Sequence, residues 1–379
     1  MRIGILGTRG VPPAYGGFET FAGELGRRLV QRGHDVSVYC RGRGDATWEG
    51  IHRIELPALR HKYLETVSHA FVSALDALRR DFDVVLVCNA ANAFVLPILR
   101  AARISVAINV DGIERKRRKW NALGQAVYAI GETMSVGFAD ALITDANVIA
   151  RYYREQYAFE PRMIPYGADF PDEEDSDVLE RLGVKDYVLY VSRFEPENNP
   201  LEVVRAYELA VGSRQWAETS ARSSADCSLP TAYPLVMLGK GLYAPELVAE
   251  LQRYASDRIL FPGALYGRDY RTLQRNALVY IHATEVGGTH PAMIEAMASG
   301  GCVLANDTPE NREAGGDAVG YFQLRPAETL SGILSDWLAN AGIRQEFRQR
   351  ARRRAAEQYS WQAVTEQYER LFESIARGR

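Results

Sequence analysis

Short apolar runs rich in β-branched residues alternate with helical periods along this chain, and the alternation happens twice. The first series opens with "RIGIL" and a segment "GFETFAGELGRRLVQRG". Phe18, Phe21, Ala22, Leu25 and Leu29 recur there at three- and four-residue spacing, which predicts an amphipathic helix stopped near Gly33. "DVSVYC", "DVVLVC", "ISVAINV" and "DALIT" continue the series. Continuous apolar strands separated by helices predict a parallel sheet covered on both faces. The rhythm pauses at "IPYGADFPDEEDSD", where Pro165, Gly167, Pro171 and an acid run mark a linker. Neighbouring like charges favour a solvated connector over a metal site. "YVLYVSR", "PLVMLG", "RILFPG", "LVYIHA" and "GCVLAND" then form a second series. The expected organisation is a domain over 1–170, a linker over 171–185, a second domain over 186–358 and a terminal amphipathic helix over 359–379. Residues 212–232, dominated by Ser, Ala and Thr, fit no period and are expected to form a surface loop insertion.

At 379 residues the chain exceeds one ordinary core, in keeping with two domains. The net charge of −3 gives no global basic field to recruit nucleic acid, so local groups must hold any anionic ligand. Met1 and Arg2 lead straight into "IGIL", with no secretory pattern, and no apolar run approaches the roughly 18 residues of a membrane span. Cys40, Cys88, Cys227 and Cys302 form no C-x-x-C pair, and reduced thiols in a cytoplasmic protein are expected.

In open α/β sheets ligands bind beyond the carboxyl ends of strands, so the loops after strands should carry the chemistry, in a cleft shared by the two domains. "EVGGTHPAMIEAMASGG" (285–301) is the richest of them. Pro291 is pre-organised for the first helical position, which leaves Gly287, Gly288, Thr289 and His290 just ahead of the helix with their N–H groups facing outwards. Glu295 follows about one turn inside the helix. Amides plus one acid suit a ligand with phosphate and polyol parts, such as a nucleotide sugar; the plainer alternative is a capped, buried helix. Gly16-Gly17 at the start of the first helix is a second amide-rich entry, or else a flexible loop, and Glu19 fits a helix cap. Arg193, just past a strand, can clamp a phosphate or form a surface ion pair. Asp111 and Glu114 follow a strand of the first domain and precede the basic run Arg115 to Lys119 and Trp120. That run fits a solvated helix face, or contact with an anionic membrane to which each basic residue adds about 1 kcal/mol. No metal-ligand cluster, G-x-S-x-G elbow or G-x-G-x-x-G fingerprint is present, and neither metal nor cofactor is expected.

"GGFE", "IPYGAD", "VSR" and "GGTHPAMIEAMASG", in this order over nearly the whole length, resemble retaining glycosyltransferases of family 4. "GTRGVPPAYGGFETF", "DGIERKRRKW", "RFEPENNP" and "VGGTHPAMIEAM" resemble a bacterial subgroup containing rhamnosyltransferases for surface polysaccharides. The resemblance implies the α/β GT-B fold, two doubly wound Rossmann-like domains facing a central cleft, with the C-terminal helix crossing back. It implies that Glu295 holds the nucleotide ribose and that the amides of Gly287, Gly288 and Thr289 hold the diphosphate and donor sugar. Arg193 would neutralise the diphosphate, and Gly16-Gly17 would face the diphosphate and acceptor. "FPGAL", including Gly263, Ala264 and Leu265, would read the base. The wider family's pattern is altered at three positions, all changes the subgroup shares: Gly287 replaces the first acid of E-x7-E, Asn199 a lysine and Asp111 a histidine. Glu285 is a nearby substitute for the missing acid. Arg115 and His290 depart even from the subgroup, whose pattern has Trp and a small polar residue there.

The expected activity is metal-independent, retaining transfer of a sugar, L-rhamnose from dTDP-rhamnose, onto a glycan or lipid-linked acceptor. Arg193 and Asp111 are the catalytic candidates. Gly16, Gly17, Arg193, Asn199, Gly263, Ala264, Leu265, Gly287, Gly288, Thr289, His290 and Glu295 are the donor-binding candidates. The alternatives are a UDP- or GDP-hexose donor in the same fold and, more remotely, a non-catalytic two-domain binding protein. Peripheral contact with the inner face of the cell membrane is a further expectation.

Overall fold

The computed structural model describes residues 1–13, 16–59, 64–116, 121–169, 175–221, 233–241 and 244–377. The chain divides into two compact units. Unit 1 comprises Met1–Gly167, Gly287–Thr289 and Tyr359–Arg379; unit 2 comprises Ala168–Val286 and His290–Gln358.

Unit 1 is built on an eight-stranded sheet. Its strands and helices are β1 (Arg2–Leu6), α1 (Gly17–Gln31), β2 (Asp35–Cys40), β3 (Thr47–Trp48), β4 (Ile51–Glu55), α2 (Glu65–Ala77), β5 (Val84–Cys88), α3 (Leu96–Ala101), β6 (Ser105–Asn109), α4 (Ala122–Phe138), β7 (Ala141–Thr144), α5 (Asn147–Tyr157) and β8 (Arg162–Met163). Strand order is β3-β4-β2-β1-β5-β6-β7-β8, parallel except for the β3–β4 hairpin. The central strands are apolar without alternation because both faces are covered: Ile3, Ile5, Val85, Leu86, Val106 and Ile108 are fully buried. From β1 the chain moves one way along the sheet, and from β4 it returns past β1 to β5. Right-handed crossovers therefore put α1 on the face opposite α2, α3 and α4. The latter three pack around a 3₁₀ segment, Ala90–Val95.

Unit 2 contains α6 (Val178–Leu182), β9 (Val188–Val191), α7 (Pro200–Ala221), β10 (Leu235–Leu238), α8 (Pro245–Gln252), β11 (Ile259–Gly263), α9 (Gly267–Asn276), β12 (Val279–His282), α10 (Pro291–Ala298), β13 (Val303–Asn306), α11 (Pro309–Gly315), β14 (Gly320–Phe322), α12 (Ala327–Ala339) and α13 (Ala341–Gln358). Its sheet is wholly parallel, in the order β11-β10-β9-β12-β13-β14. Val188, Tyr190, Met237, Ile281 and Leu304 form its centre.

α14 (Trp361–Arg377) returns to unit 1, where it packs on α1, β5 and β6. Phe21 lies 5.3 Å from the Tyr166 ring and 5.4 Å from Tyr368, and Asn109 donates to the Tyr368 hydroxyl at 2.9 Å. A Cβ on Gly167 would stand 2.3 Å from the Trp361 ring, so only glycine lets the chain pass that indole.

Two sequence readings need correction. α7 runs through Ala221, so the first ten residues of the expected 212–232 loop are helical; residues 222–232, with Cys227, lie outside the described residues. The helical period was hidden there because Ser, Ala and Thr give no apolar stripe. The segment read as linker, 171–185, contains α6; residues 171–174 lie outside the described residues, and the two that follow are tied to α9: Ser176 donates its N–H to the Thr272 hydroxyl at 3.0 Å, and Asn276 donates to Asp175 at 2.8 Å. Cys40, Cys88 and Cys302 are buried and unbridged, and among the described residues no helix is long and apolar enough to cross a membrane.

Candidate active site

Strand order reverses between β9 and β12 in unit 2 and between β1 and β5 in unit 1. Loops diverge at such points and leave a crevice at the carboxyl ends of the strands, which is where open α/β sheets bind ligands.

In unit 2, β9 leads to Arg193. Asn198 donates its side-chain amide to the Arg193 carbonyl at 2.7 Å, and the Tyr190 hydroxyl donates to the Asn198 carbonyl at 2.8 Å. The backbone is thus pinned while the guanidinium stays 39% exposed, 3.7 Å from a buried Glu195 carboxylate oxygen. Asn199 departs from its expected donor contact: it is buried at φ 53°, and its amide donates to the carbonyls of Ala283 at 2.9 Å and Glu197 at 3.2 Å. It locks the loop after β9 to the end of β12 from behind. A second tie joins the same loops, the Glu285 N–H donating to the Glu197 carbonyl at 2.9 Å.

β12 ends at His282, whose buried ring lies 4.7 Å from that of His290. Burial pushes the His282 imidazole down to about 3. His290 occupies the N-cap of α10 in extended conformation, with Pro291 at the helix start as expected. Glu295, one turn on, is partly exposed and accepts the Tyr270 hydroxyl at 2.6 Å. Gln274 donates to the same phenol at 2.7 Å and to the Ala292 carbonyl at 3.0 Å. Burial, and secondarily the Glu295 charge, holds the Tyr270 phenol well above its usual range. The carboxylate is therefore aimed by α9. At the end of β11, Gly263 has φ 85° with open space where a Cβ would stand, and Ala264 and Leu265 are half-buried.

In unit 1, Glu19 is buried and accepts the Arg9 N–H at 2.8 Å. It holds the loop after β1, whereas the sequence reading made it a cap of its own helix; the α1 N-cap, Gly16, has no side-chain cap. Gly16 is extended and Gly17 opens the helix. Asp111 follows β6 at φ 58°, its N–H donating to the Asn109 carboxamide at 3.0 Å. Asp145 follows β7 and is 1% exposed. Burial first, then the charges of Asp111 and Asp145, raise the Tyr166 phenol far above its usual range, so both carboxylates act on one neighbourhood. Arg115 leans on the Tyr152 ring at 5.3 Å and lies 3.6 Å from Glu132; residues 117–120 of the basic run lie outside the described residues.

Gly287–Thr289 completes unit 1. The Thr289 N–H donates to the Asp145 carboxylate at 2.7 Å, and its hydroxyl to the Asp145 carbonyl at 2.6 Å. This corrects the expectation that all the amides ahead of Pro291 face outwards: Thr289's is already engaged. Those of Gly287 and Gly288 make no hydrogen bond among the described residues, although both residues are buried. A Cβ on Gly288 would stand 2.0 Å from the Asp145 carboxylate, so glycine is required for the turn to reach it. Asp145, Asn109, Tyr270 and Gln274 escaped the sequence reading. Asp145 carried one usable signal, its place directly after the "ALIT" strand.

Two family models match in sequence, Glycosyltransferase Family 4 over residues 15–170 and Glycosyl transferases group 1 over residues 171–354. Together with the fold they make this chain a GT-B glycosyltransferase of the family 4 type. A comparison with curated protein sequences finds no match. Among solved structures, sucrose-phosphate synthase from Thermosynechococcus elongatus is similar at 18% identity, TM-score 0.81, with 100% of both chains covered. Anabaena HepE in complex with UDP-glucose is similar at 16% identity, TM-score 0.78, covering 99% of this chain and 100% of that one. An α,α-trehalose-phosphate synthase (UDP-forming) from Burkholderia xenovorans in complex with glucose-6-phosphate follows at 14% identity, TM-score 0.73, covering 98% and 100%. At these identities the likeness is one of fold.

Proposed function

We propose that this glycosyltransferase takes a nucleotide-sugar donor, with its diphosphate on the amides of Gly287 and Gly288 and its ribose on Glu295. One observation carries the reading: the N–H groups of two buried glycines, without a hydrogen bond among the described residues, sit just ahead of a proline-started helix. Buried backbone donors are nearly always paired, so such a pair calls for an acceptor. An anion at a helix start also gains from the helix dipole. Arg193, exposed on a pinned backbone, supplies a mobile positive charge for the leaving diphosphate.

In this reading the donor is dTDP-rhamnose, and L-rhamnose passes with retention to a glycan or lipid-linked acceptor of surface polysaccharide synthesis. The acceptor hydroxyl attacks the anomeric carbon from the face the diphosphate leaves, the carbon–oxygen bond to the phosphate breaks, and the departing phosphate oxygen takes the acceptor's proton. Asp111 positions sugar or acceptor. Gly263, Ala264 and Leu265 read the base. A second reading, a UDP-hexose donor, is favoured by solved structures of similar fold that hold UDP or UDP-glucose. Peripheral contact with the inner membrane leaflet places the enzyme beside a lipid-linked acceptor.

Calorimetry of dTDP, UDP and GDP against the parent and Glu295→Ala tests the site. The parent is expected to prefer dTDP, and the variant to bind its preferred nucleotide about tenfold more weakly, as loss of a hydrogen bond to a charged group implies. Equal affinities in parent and variant would remove the ribose from Glu295.

A further inference from the structure

α4 buries a carboxylate that the proposed chemistry does not use. Glu132 is 2% exposed, and its Oε2 accepts the hydroxyls of Tyr152 and Tyr157, both on α5, at 2.8 Å each. Burying a charge is costly unless it is paired. Positive charge arrives from the segment between β6 and α4. Arg115 Nε lies 3.6 Å from the same Oε2, and its guanidinium carbon stands 5.3 Å from the centre of the Tyr152 ring. At that distance the guanidinium is beyond hydrogen-bond length and acts by its charge, which counts for more beside a buried group than in water. Three parts of unit 1 thus meet at one oxygen, and Arg115 is what brings the β6–α4 segment to it.

The same segment carries Asp111. It leaves β6 at Asn109, whose side-chain oxygen accepts the Asp111 N–H at 3.0 Å and whose amide donates to the Tyr368 hydroxyl at 2.9 Å. Asp111 holds φ 58°, a left-handed conformation that persists in a non-glycine residue where the surrounding chain fixes it. Gly112 then lies against the turn ahead of Pro291, since a Cβ on it would stand 2.9 Å from the Gly287 Cα. Ile113 is buried in the core of unit 1, and the Glu114 N–H donates to the Gly112 carbonyl at 3.0 Å. Arg115 follows in the 3₁₀ turn Glu114–Lys116. Asp111 is therefore next to the Gly287 end of the turn, with Asn109 holding the segment on one side and Ile113 and Arg115 on the other.

We propose that Arg115 is a positioning residue: its charge pair with Glu132 holds the β6–α4 segment and, through it, sets where the Asp111 carboxylate stands relative to a sugar at the turn. The inference rests on the proposed role of Asp111. It takes Arg115 out of the basic run, where the sequence reading has a solvated face or a membrane contact, and gives it a partner within unit 1.

The test uses the full chain with Arg115→Met, which removes the charge, and Arg115→Lys, which keeps it. Hydrogen exchange read peptide by peptide should be about tenfold faster over residues 109–116 in Arg115→Met, closer to the parent's in Arg115→Lys, and unchanged in the strands of both sheets. Release of nucleoside diphosphate from dTDP-rhamnose and from UDP-glucose should show kcat about tenfold lower in Arg115→Met with KM within about twofold, because a displaced carboxylate costs rate more than binding. Arg115→Lys should recover most of that rate. The calorimetric Kd of dTDP and UDP should stay within about twofold, since Asp145 and Pro291 anchor the turn independently. A residue of merely structural importance would lower the melting temperature and leave kcat alone. Exchange over 109–116 equal to the parent's would overturn the proposal, as would faster exchange with kcat unchanged. A parent that binds neither nucleotide, or releases none, would sink the donor reading instead, and the exchange result would still decide whether Arg115 holds the segment.

Discussion

Tyr270→Phe asks whether Glu295 is aimed at a ligand or merely partners a phenol. The substitution removes one hydroxyl and leaves the ring. Glu295 then loses the 2.6 Å donor, and Gln274 loses one of two acceptors while keeping the Ala292 carbonyl at 3.0 Å. A hydrogen bond to a charged group contributes about 1.5–3 kcal/mol. Water can reach the partly exposed carboxylate and recover part of this, so the expected loss of stability is about 1 kcal/mol. In a unit the size of unit 2, unfolding by itself, that lowers the melting temperature by roughly 2–4 °C. Nucleotide binding should suffer by a similar amount, because a carboxylate no longer held by α9 must be ordered when the ribose arrives; about 1 kcal/mol is roughly fivefold in Kd. Differential scanning fluorimetry reads the first effect and calorimetry the second. Tyr270→Phe, Glu295→Gln and the double variant form a cycle in which the two changes should couple by about 1 kcal/mol. A Kd unchanged or tightened in Tyr270→Phe, alongside a lowered melting temperature, would refute the reasoning: the phenol would then compete with the ligand for Glu295 or have no bearing on it.

Gly288→Ala forces a methyl to 2.0 Å from the Asp145 carboxylate, so the turn must withdraw; activity should fall at least about tenfold while unfolding changes by only about 1–3 kcal/mol, and wild-type turnover in this variant would show the turn to be dispensable. His282, held neutral at about 3 against an ordinary 6.5, adds stability that is complete above pH 6.5 and lost as pH falls through that window. Urea unfolding of the parent should weaken by about 2 kcal/mol more between pH 6.5 and 5 than that of His282→Asn, at 1.36 kcal/mol per pH unit; identical pH dependences would contradict it.

The sheets were legible because parallel strands buried on both faces leave continuous apolar runs, and "DVVLVC" or "PLVMLG" can be little else. α1 was legible from Phe21, Leu25 and Leu29, which the fold buries against its sheet. The short hairpin β3–β4 was not, since two residues of β3 carry no periodicity. The loop ahead of Pro291 was visible as a place but not as a circuit. Which amides are engaged depends on Asp145, 144 residues away in sequence, and no local pattern encodes that pairing. Asn199 misled for the same reason: an exposed and a buried amide look alike in sequence until the Ala283 carbonyl arrives from another strand.

That distance between partners explains how the turn is built. A glycine pair alone would be mobile and would bind an anion only after being ordered, at a cost of about 1–2 kcal/mol per residue. Here Thr289 is fixed at two atoms by Asp145, and Pro291 fixes the chain on the other side of His290. The two glycines between Val286 and Thr289 are thereby constrained, their N–H groups without a hydrogen bond among the described residues, so in the proposed reading part of the ordering cost falls on folding and not on binding. Asp145 has a further effect. Its negative charge opposes an anion at Thr289 and, lying 2.0 Å from where a Cβ on Gly288 would stand, bears on the Gly288 end of the turn as well. In the proposed reading the turn holds the diphosphate, and Glu295, which accepts the Tyr270 hydroxyl from α9, holds the ribose.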